Sequence, residues 1–178
     1  MKISYLLNFS FFLFFVLFLM YLFEPSPSFP PPPPDSLQSN EPADTESDYR
    51  RAYFTDYTRE QVIMHYKAHF GRLVVLRLNY PPEDAVTLIR DQTRSYYLEE
   101  LVHPMRESLF INGFVPQEDK DDIWIDNRHF EQKITIRYIP TDNKIRLVIG
   151  FLAGILGYII FNSWIADLKG IYRRWIYQ

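Results

Sequence analysis

His65 and His69 are the residues of this chain whose type and spacing come nearest to a chemical site. Imidazoles four apart share one face of a helix, and two on one face can hold a metal ion. A zinc peptidase of the His-Glu-x-x-His kind also needs a glutamate directly after the first histidine, and Tyr66 stands there instead. Spacing supplies no third ligand, although His103, His129 and many carboxylates exist elsewhere. On a helical wheel His69 borders the apolar stripe and His65 lies further round, so both read as helix-edge residues. They are weak metal candidates, and no cofactor is expected. The chemistry they would support is that of a small membrane-bound hydrolase, working with carboxylates.

A second polar group, Arg90, Asp91, Arg94, Glu99, Glu100, Arg106 and Glu107, reads as the solvated face of a helix. Exposed ion pairs of that kind contribute tenths of a kcal/mol each. A polar ligand site is the alternative. Tyr96, Tyr97 and Trp124 read as core or edge aromatics rather than a sugar-stacking platform. No glycine-rich phosphate loop, nucleophile elbow or dinucleotide fingerprint is present. The chain has no cysteine, which excludes disulfides, thiolate catalysis and cysteine-based metal sites.

The elements that must position these residues begin with two apolar stretches, 3–23 and 147–166. A bilayer-spanning helix needs about 20 mostly apolar residues, because hydrocarbon leaves every backbone polar group to be paired within the segment. The first stretch carries no charge and is longer than the apolar core of a signal peptide, so it is expected as a retained anchor over 1–23. Lys2 precedes it and no Lys or Arg follows until Arg50. Positive charge is retained in the cytoplasm, which places the amino terminus inside. With two spans the carboxyl terminus is inside as well and the middle lies outside the cytoplasm. The short basic tail 167–178 then presents Lys169, Arg173, Arg174 and Trp175 as membrane-anchor residues. The expected localisation is an integral membrane protein with both termini cytoplasmic.

The second span carries Gly150, Ala153, Gly154 and Gly157, small residues at the spacing that lets two helices approach closely. Their partner is expected to be the first span, another copy of the chain or another membrane protein. Asn162 is a candidate for a hydrogen bond to a neighbouring helix.

Residues 24–48 hold six acidic residues, no basic ones and five consecutive prolines from Pro30 to Pro34. Such a segment reads as a disordered linker with a polyproline II run, about 70–80 Å long if fully extended. The connection at the other side of the middle is only residues 140–146, about 20 Å at most. From Glu24 to Ile145 the chain has 21 acidic residues against 14 basic, which argues against a nucleic-acid partner.

Within 49–143, Thr58 and Gln61 form a capping box ahead of a helix that presents Val62, Ile63, Tyr66 and Phe70 and stops at Gly71. Residues 73–79 read as a strand with Val74, Leu76 and Leu78 on one face and Val75, Arg77 and Asn79 on the other. Pro81 and Pro82 open a helical region with one stripe through Ala85, Leu88, Ile89, Gln92 and Tyr96. A second stripe runs through Leu98, Leu101, Val102, Met105 and Leu109, with a kink near Pro104. Short apolar runs at 123–125 and 130–139 read as strands joined by a loose hairpin, and 51–54 as an edge strand. The expected class is α+β: a small two-layer domain of about three helices on one face of a three- or four-stranded, mostly antiparallel sheet, flanked by two transmembrane helices. The expected role is a juxtamembrane, extracytoplasmic interaction or structural module of an envelope or surface assembly. The alternatives are the hydrolase above or a ligand-binding sensor subunit acting through a partner.

Overall fold

The computed structural model describes residues 2–71 and 75–176, with the side chains of 2–4 and 172–176 outside the description. Two compact units result: one from the chain's two ends, up to Pro25 and from Thr141, and one from Ser26–Pro140.

The first unit is a helical hairpin. Helix α1 spans Lys2–Phe23, and α4 spans Asn143–Ile176, 34 residues or about 51 Å. Both are long and apolar enough to cross a membrane.

The second unit is α+β and mostly antiparallel. Its strands are β1 (Leu37–Gln38), β2 (Arg50–Thr55), β3 (Leu76–Tyr80), β4 (Tyr97–Val102), β5 (Ser108–Phe114), β6 (Ile123–Ile125), β7 (Arg128–Phe130) and β8 (Gln132–Ile139); its helices are α2 (Arg59–Phe70) and the single turn α3 (Ala85–Leu88). Six strands form one sheet in the order β1-β2-β8-β5-β4-β3, and β6 and β7 form a separate ribbon. Alternation along β5 shows how the sheet is covered. Ile111 packs with Val62, Ile63, Tyr66 and Phe70 of α2, whereas its neighbour Phe110 packs with Ala85 and Ile89 on the opposite face. Phe54, Ile123 and Phe130 extend that second face under the ribbon. Both faces of the sheet are therefore covered, not one.

Thr58 caps α2 as its sequence predicts: its hydroxyl accepts from the Gln61 N–H, and Gln61 Oε1 accepts from the Thr58 N–H at 2.8 Å. The long second helix is absent. A 3₁₀ turn at Pro82–Asp84 runs into α3, which ends at Ile89. Arg90 then adopts a left-handed φ of 54°, and the Asp91 N–H turns back to the Ala85 carbonyl at 3.1 Å, closing the end of the helix. The residues of the second apolar stripe belong to β4, β5 and the turn between them, where Pro104 is followed by Met105 at φ 60°. Strand β4 lies between β3 and β5 with both faces covered, so the two-residue alternation that marks a strand is lost from its sequence. That brings the main sheet to six strands rather than three or four. In β3 the face shared by Leu76 and Leu78 is an outer one, and the two are 46% and 41% exposed. Leu73 and Val74 lie outside the described residues. The loose hairpin is a tight one, with Asp126 and Asn127 both at positive φ between β6 and β7.

The acidic proline-rich stretch also differs from expectation, being laid along the domain from Ser26 onward. Pro30 and Pro33, one polyproline turn apart, are buried, and Phe29 packs against the α2 core. Leu37 and Gln38 pair with Phe54 and Tyr53 of β2. Asp44 is buried and holds Lys133 at 2.8 Å, with Glu41 at 2.9 Å from the same ammonium. A proline run gives up little conformational freedom when it docks, so few contacts suffice to hold it.

Gly113 faces Tyr97 across β4 and β5, and a methyl group added there would lie 2.1 Å from the tyrosine ring. The ring is fixed by its hydroxyl, which donates to Gln132 at 2.9 Å. Gly113→Ala should therefore destabilise the domain by about 2 kcal/mol, measured as a lower urea midpoint of the detergent-solubilised chain.

Candidate functional site

His65 is half-buried and His69 exposed, with ring centroids 4.4 Å apart. Each ring is already engaged. His65 Nε2 is 3.0 Å from the carbonyl of Pro31, and His69 Nδ1 is 2.8 Å from the carbonyl of His65 in its own helix. Among the described residues no three His, Asp or Glu side chains gather as a metal ion would require. Of the two, His65 holds the proline run against α2 and His69 bonds within its own helix.

The polar residues assigned to a solvated helix face are instead largely inside. Glu99 on β4 is fully buried and bonded by two guanidiniums, those of Arg59 and Arg77, the latter at 2.6 Å. Arg77 also bridges Glu60 at 2.9 Å, and Arg59 lies 5.0 Å over the Tyr97 ring. Burial pushes the Glu99 carboxyl upward, but the hydrogen bonds and charges of Arg77 and Arg59 outweigh it and leave the group below its ordinary value.

A second cluster occupies the turn between β4 and β5. His103 Nδ1 meets Glu107 at 2.6 Å, Arg106 reaches the same oxygen at 3.0 Å, and Ser26 donates to the other oxygen at 2.8 Å. The imidazole stacks on Phe70, centroids 4.5 Å apart, and a methyl group on Gly71 would collide with it. The Glu107 carboxyl is raised by burial and lowered further by His103, Ser26 and Arg106, ending below its ordinary value. On the other face Asp91 accepts from Asn112 and pairs with buried Arg50 at 3.5 Å. Arg50 and Arg137 both donate to the Ile89 carbonyl that ends α3.

These clusters hold loops to the sheet. The domain's clefts lie elsewhere: about 210 Å³ lined by Arg94, Tyr96, Phe114 and Asp121, and about 350 Å³ between residues 37–41, Phe54 and Asp126. Neither is lined by His65, His69, His103, Glu99 or Glu107. Of the aromatics singled out by sequence, Tyr97 is core, whereas Tyr96 and Trp124 are 53% and 62% exposed. Sequence reasoning missed the buried role of Glu99 and Glu107 because isolated acids near arginines look the same whether exposed or buried.

In the hairpin, a methyl group on Gly150 would meet Leu22 at 2.3 Å, and one on Gly154 would meet Phe15 at 2.0 Å. Gly157 faces Phe11, whose ring stacks on Phe161 at 5.2 Å and lies 5.3 Å from Tyr158. The three glycines thus form a groove filled by α1 side chains, whereas Ala153 is exposed and outside it. Asn162 donates to the Tyr158 carbonyl of its own helix at 3.0 Å rather than to a neighbour. Lys169 is exposed. The side chains of Arg173, Arg174 and Trp175 lie outside the described residues.

Comparison with protein-family models, curated proteins and solved structures finds no match to this chain.

The buried glutamates and the glycine groove each lead to a measurable outcome. Folding lowers the Glu99 and Glu107 pKa values below the ordinary glutamate value of 4.5, so their stabilisation is complete above that pH and is lost as pH falls through the lower, folded values. The urea midpoint should be level in mildly acidic and neutral buffer and fall below about pH 4.5. Glu99→Gln should cost about 2 kcal/mol at neutral pH and flatten the acid limb. In the hairpin, Gly154→Leu should meet the Phe15 ring and force α1 and α4 apart, read as weaker cross-linking between cysteines placed at Phe11 and Tyr158, whose rings lie 5.3 Å apart.

Proposed function

We propose that this protein is a two-span membrane protein whose Ser26–Pro140 domain is an interaction or structural module of a membrane-associated assembly. The observation that carries the reading is the exterior of the hairpin. Phe9, Phe14, Leu17 and Met20 of α1 and Val148, Leu152, Leu156 and Ile160 of α4 are each about half exposed or more. An apolar helix pair this bare on its outside needs a nonaqueous surrounding, and lipid supplies it along the whole length. The Gly-to-Phe contacts show how two such helices associate without a hydrophobic drive between them.

The charge asymmetry around α1 supports an inward amino terminus, with the carboxyl tail also cytoplasmic and the domain outside. The domain's buried ionic groups are engaged in holding its own elements together, which supports a binding or scaffolding role over a hydrolytic one. Because α1 fills the glycine groove, another membrane protein of the assembly is met through the domain or the lipid-facing sides of the helices.

One variant series tests this. The chain lacks cysteine, so Lys120→Cys, at a side chain 71% exposed, gives a single thiol on the domain. An impermeant maleimide should label it in intact cells, and Lys169→Cys only after permeabilisation; the reverse pattern would invert the orientation. A photo-crosslinker anchored on the Lys120→Cys thiol in native membranes should yield a heavier species containing another membrane protein. Recovery of monomer alone would remove the interaction role.

A further inference from the structure

We infer that the end of the sheet from which both chain connections leave is a lipid-contact surface, seated at the boundary between headgroups and acyl chains. This rests on the membrane-anchored reading above. The last hydrogen-bonded row at that end runs across four strands, Ile139 to Ser108 to Val102 to Leu76. Its outer members are left bare, Ile139 at 40% and Leu76 at 46% exposed. Met105, at the tip of the β4–β5 turn, is 57% exposed. Tyr49 is 50% exposed; its carbonyl accepts from the Tyr138 N–H and its ring lies edge-on to the Tyr138 ring. Leucine, isoleucine and methionine beside a tyrosine on one rim is the composition of a membrane-interface surface, not of an ordinary domain end.

Chain length says what covers this rim. Three residues, 140–142, join β8 to α4, an extended reach of about 10 Å. At the other connection, Ser26 follows α1 by three residues and is bonded to Glu107, in the same turn as Met105. Once the two helices cross a bilayer, neither connection lets this rim move far from it. Lys67, in the last turn of α2, is exposed toward this end, where Phe70 of the same turn stacks on His103 of the β4–β5 turn. Acidic residues also lie here, Asp48 beside Tyr49 and, in the two connections, Glu24 and Asp142. The loop with Glu118, Asp119, Asp121 and Asp122 follows the opposite end of β5, where anionic headgroups would not repel it.

The test uses the full chain in vesicles of phosphatidylcholine and phosphatidylglycerol, with single cysteines carrying an environment-sensitive fluorophore. Met105→Cys and Leu76→Cys report the rim, Lys120→Cys the opposite end, and Ile155→Cys the middle of α4. The apolar surroundings should blue-shift the probes at 105 and 76, and a nitroxide high on the lipid acyl chain should quench them while leaving the probe at 120 bright. Quenching at 155 by a deep nitroxide, with 105 and 76 no dimmer than 120, would overturn the seated rim while leaving the anchored reading intact. If 155 also stays bright, the membrane reading fails and this inference falls with it.

Discussion

Both connections of the Ser26–Pro140 domain leave from the same end of its sheet, and the rest of the molecule is arranged around that constraint. Ser26 is bonded to Glu107 in the β4–β5 turn, the Tyr138 hydroxyl donates to the Pro27 carbonyl at 2.8 Å, and Ile139 pairs with Ser108 in the same row. Entry and exit are therefore neighbours. A chain that enters and leaves a domain at one place can continue as two antiparallel helices. The order of contacts in the hairpin, Gly150 with Leu22, Gly154 with Phe15 and Gly157 with Phe11, is that of an antiparallel pair. The proline run could have decoupled entry from exit by serving as a long tether. Docked on α2 with its carbonyl at His65, it does the opposite and ties the entry point down.

The domain also holds many buried charges. Glu99, Glu107, Asp91, Asp44, Arg50 and Lys133 are each nine-tenths buried or more. Replacing such groups with apolar ones is often neutral or stabilising, so their presence says little about stability. What they share is reach. Glu99 links β4 to α2 and β3, Glu107 links the β4–β5 turn to the segment after α1, and Lys133 links β8 to the segment after β1. Each cluster joins pieces far apart in the chain at one register, where a one-residue slip would leave a charge without a partner.

Legibility in the sequence followed the same physics. The two long apolar helices, the Thr58–Gln61 cap and the apolar stripe of α2 were readable because each depends on local spacing alone. Strand β4 was not. Sitting between two strands and covered on both faces, its Tyr97–Val102 run loses alternation, and its spacing to Leu109 imitates a helix. The acids at 99 and 100 strengthened that impression, since nothing local reveals that Arg59 and Arg77 arrive from other elements. The proline strap was missed for a related reason: composition predicts what a segment does alone, and Pro30 to Pro34 does not act alone. The glycine groove was legible as a pattern, but its direction was not, and only the packing of Phe15 and Phe11 separates Gly154 and Gly157 from Ala153.

The strand order β1-β2-β8-β5-β4-β3 also sets a timetable for biosynthesis. Strand β8 is the last of the domain to be made, yet it lies between β2 and β5, so the sheet cannot close until synthesis has all but reached α4. By then α1 has long since left the ribosome and is available for insertion. The domain must therefore wait in an open state, with the edges of β2 and β5 that will take β8 unpaired. Closure of β8 and delivery of the second helix become one continuous event, since Ile139 and Asn143 are separated by only the short link that precedes α4.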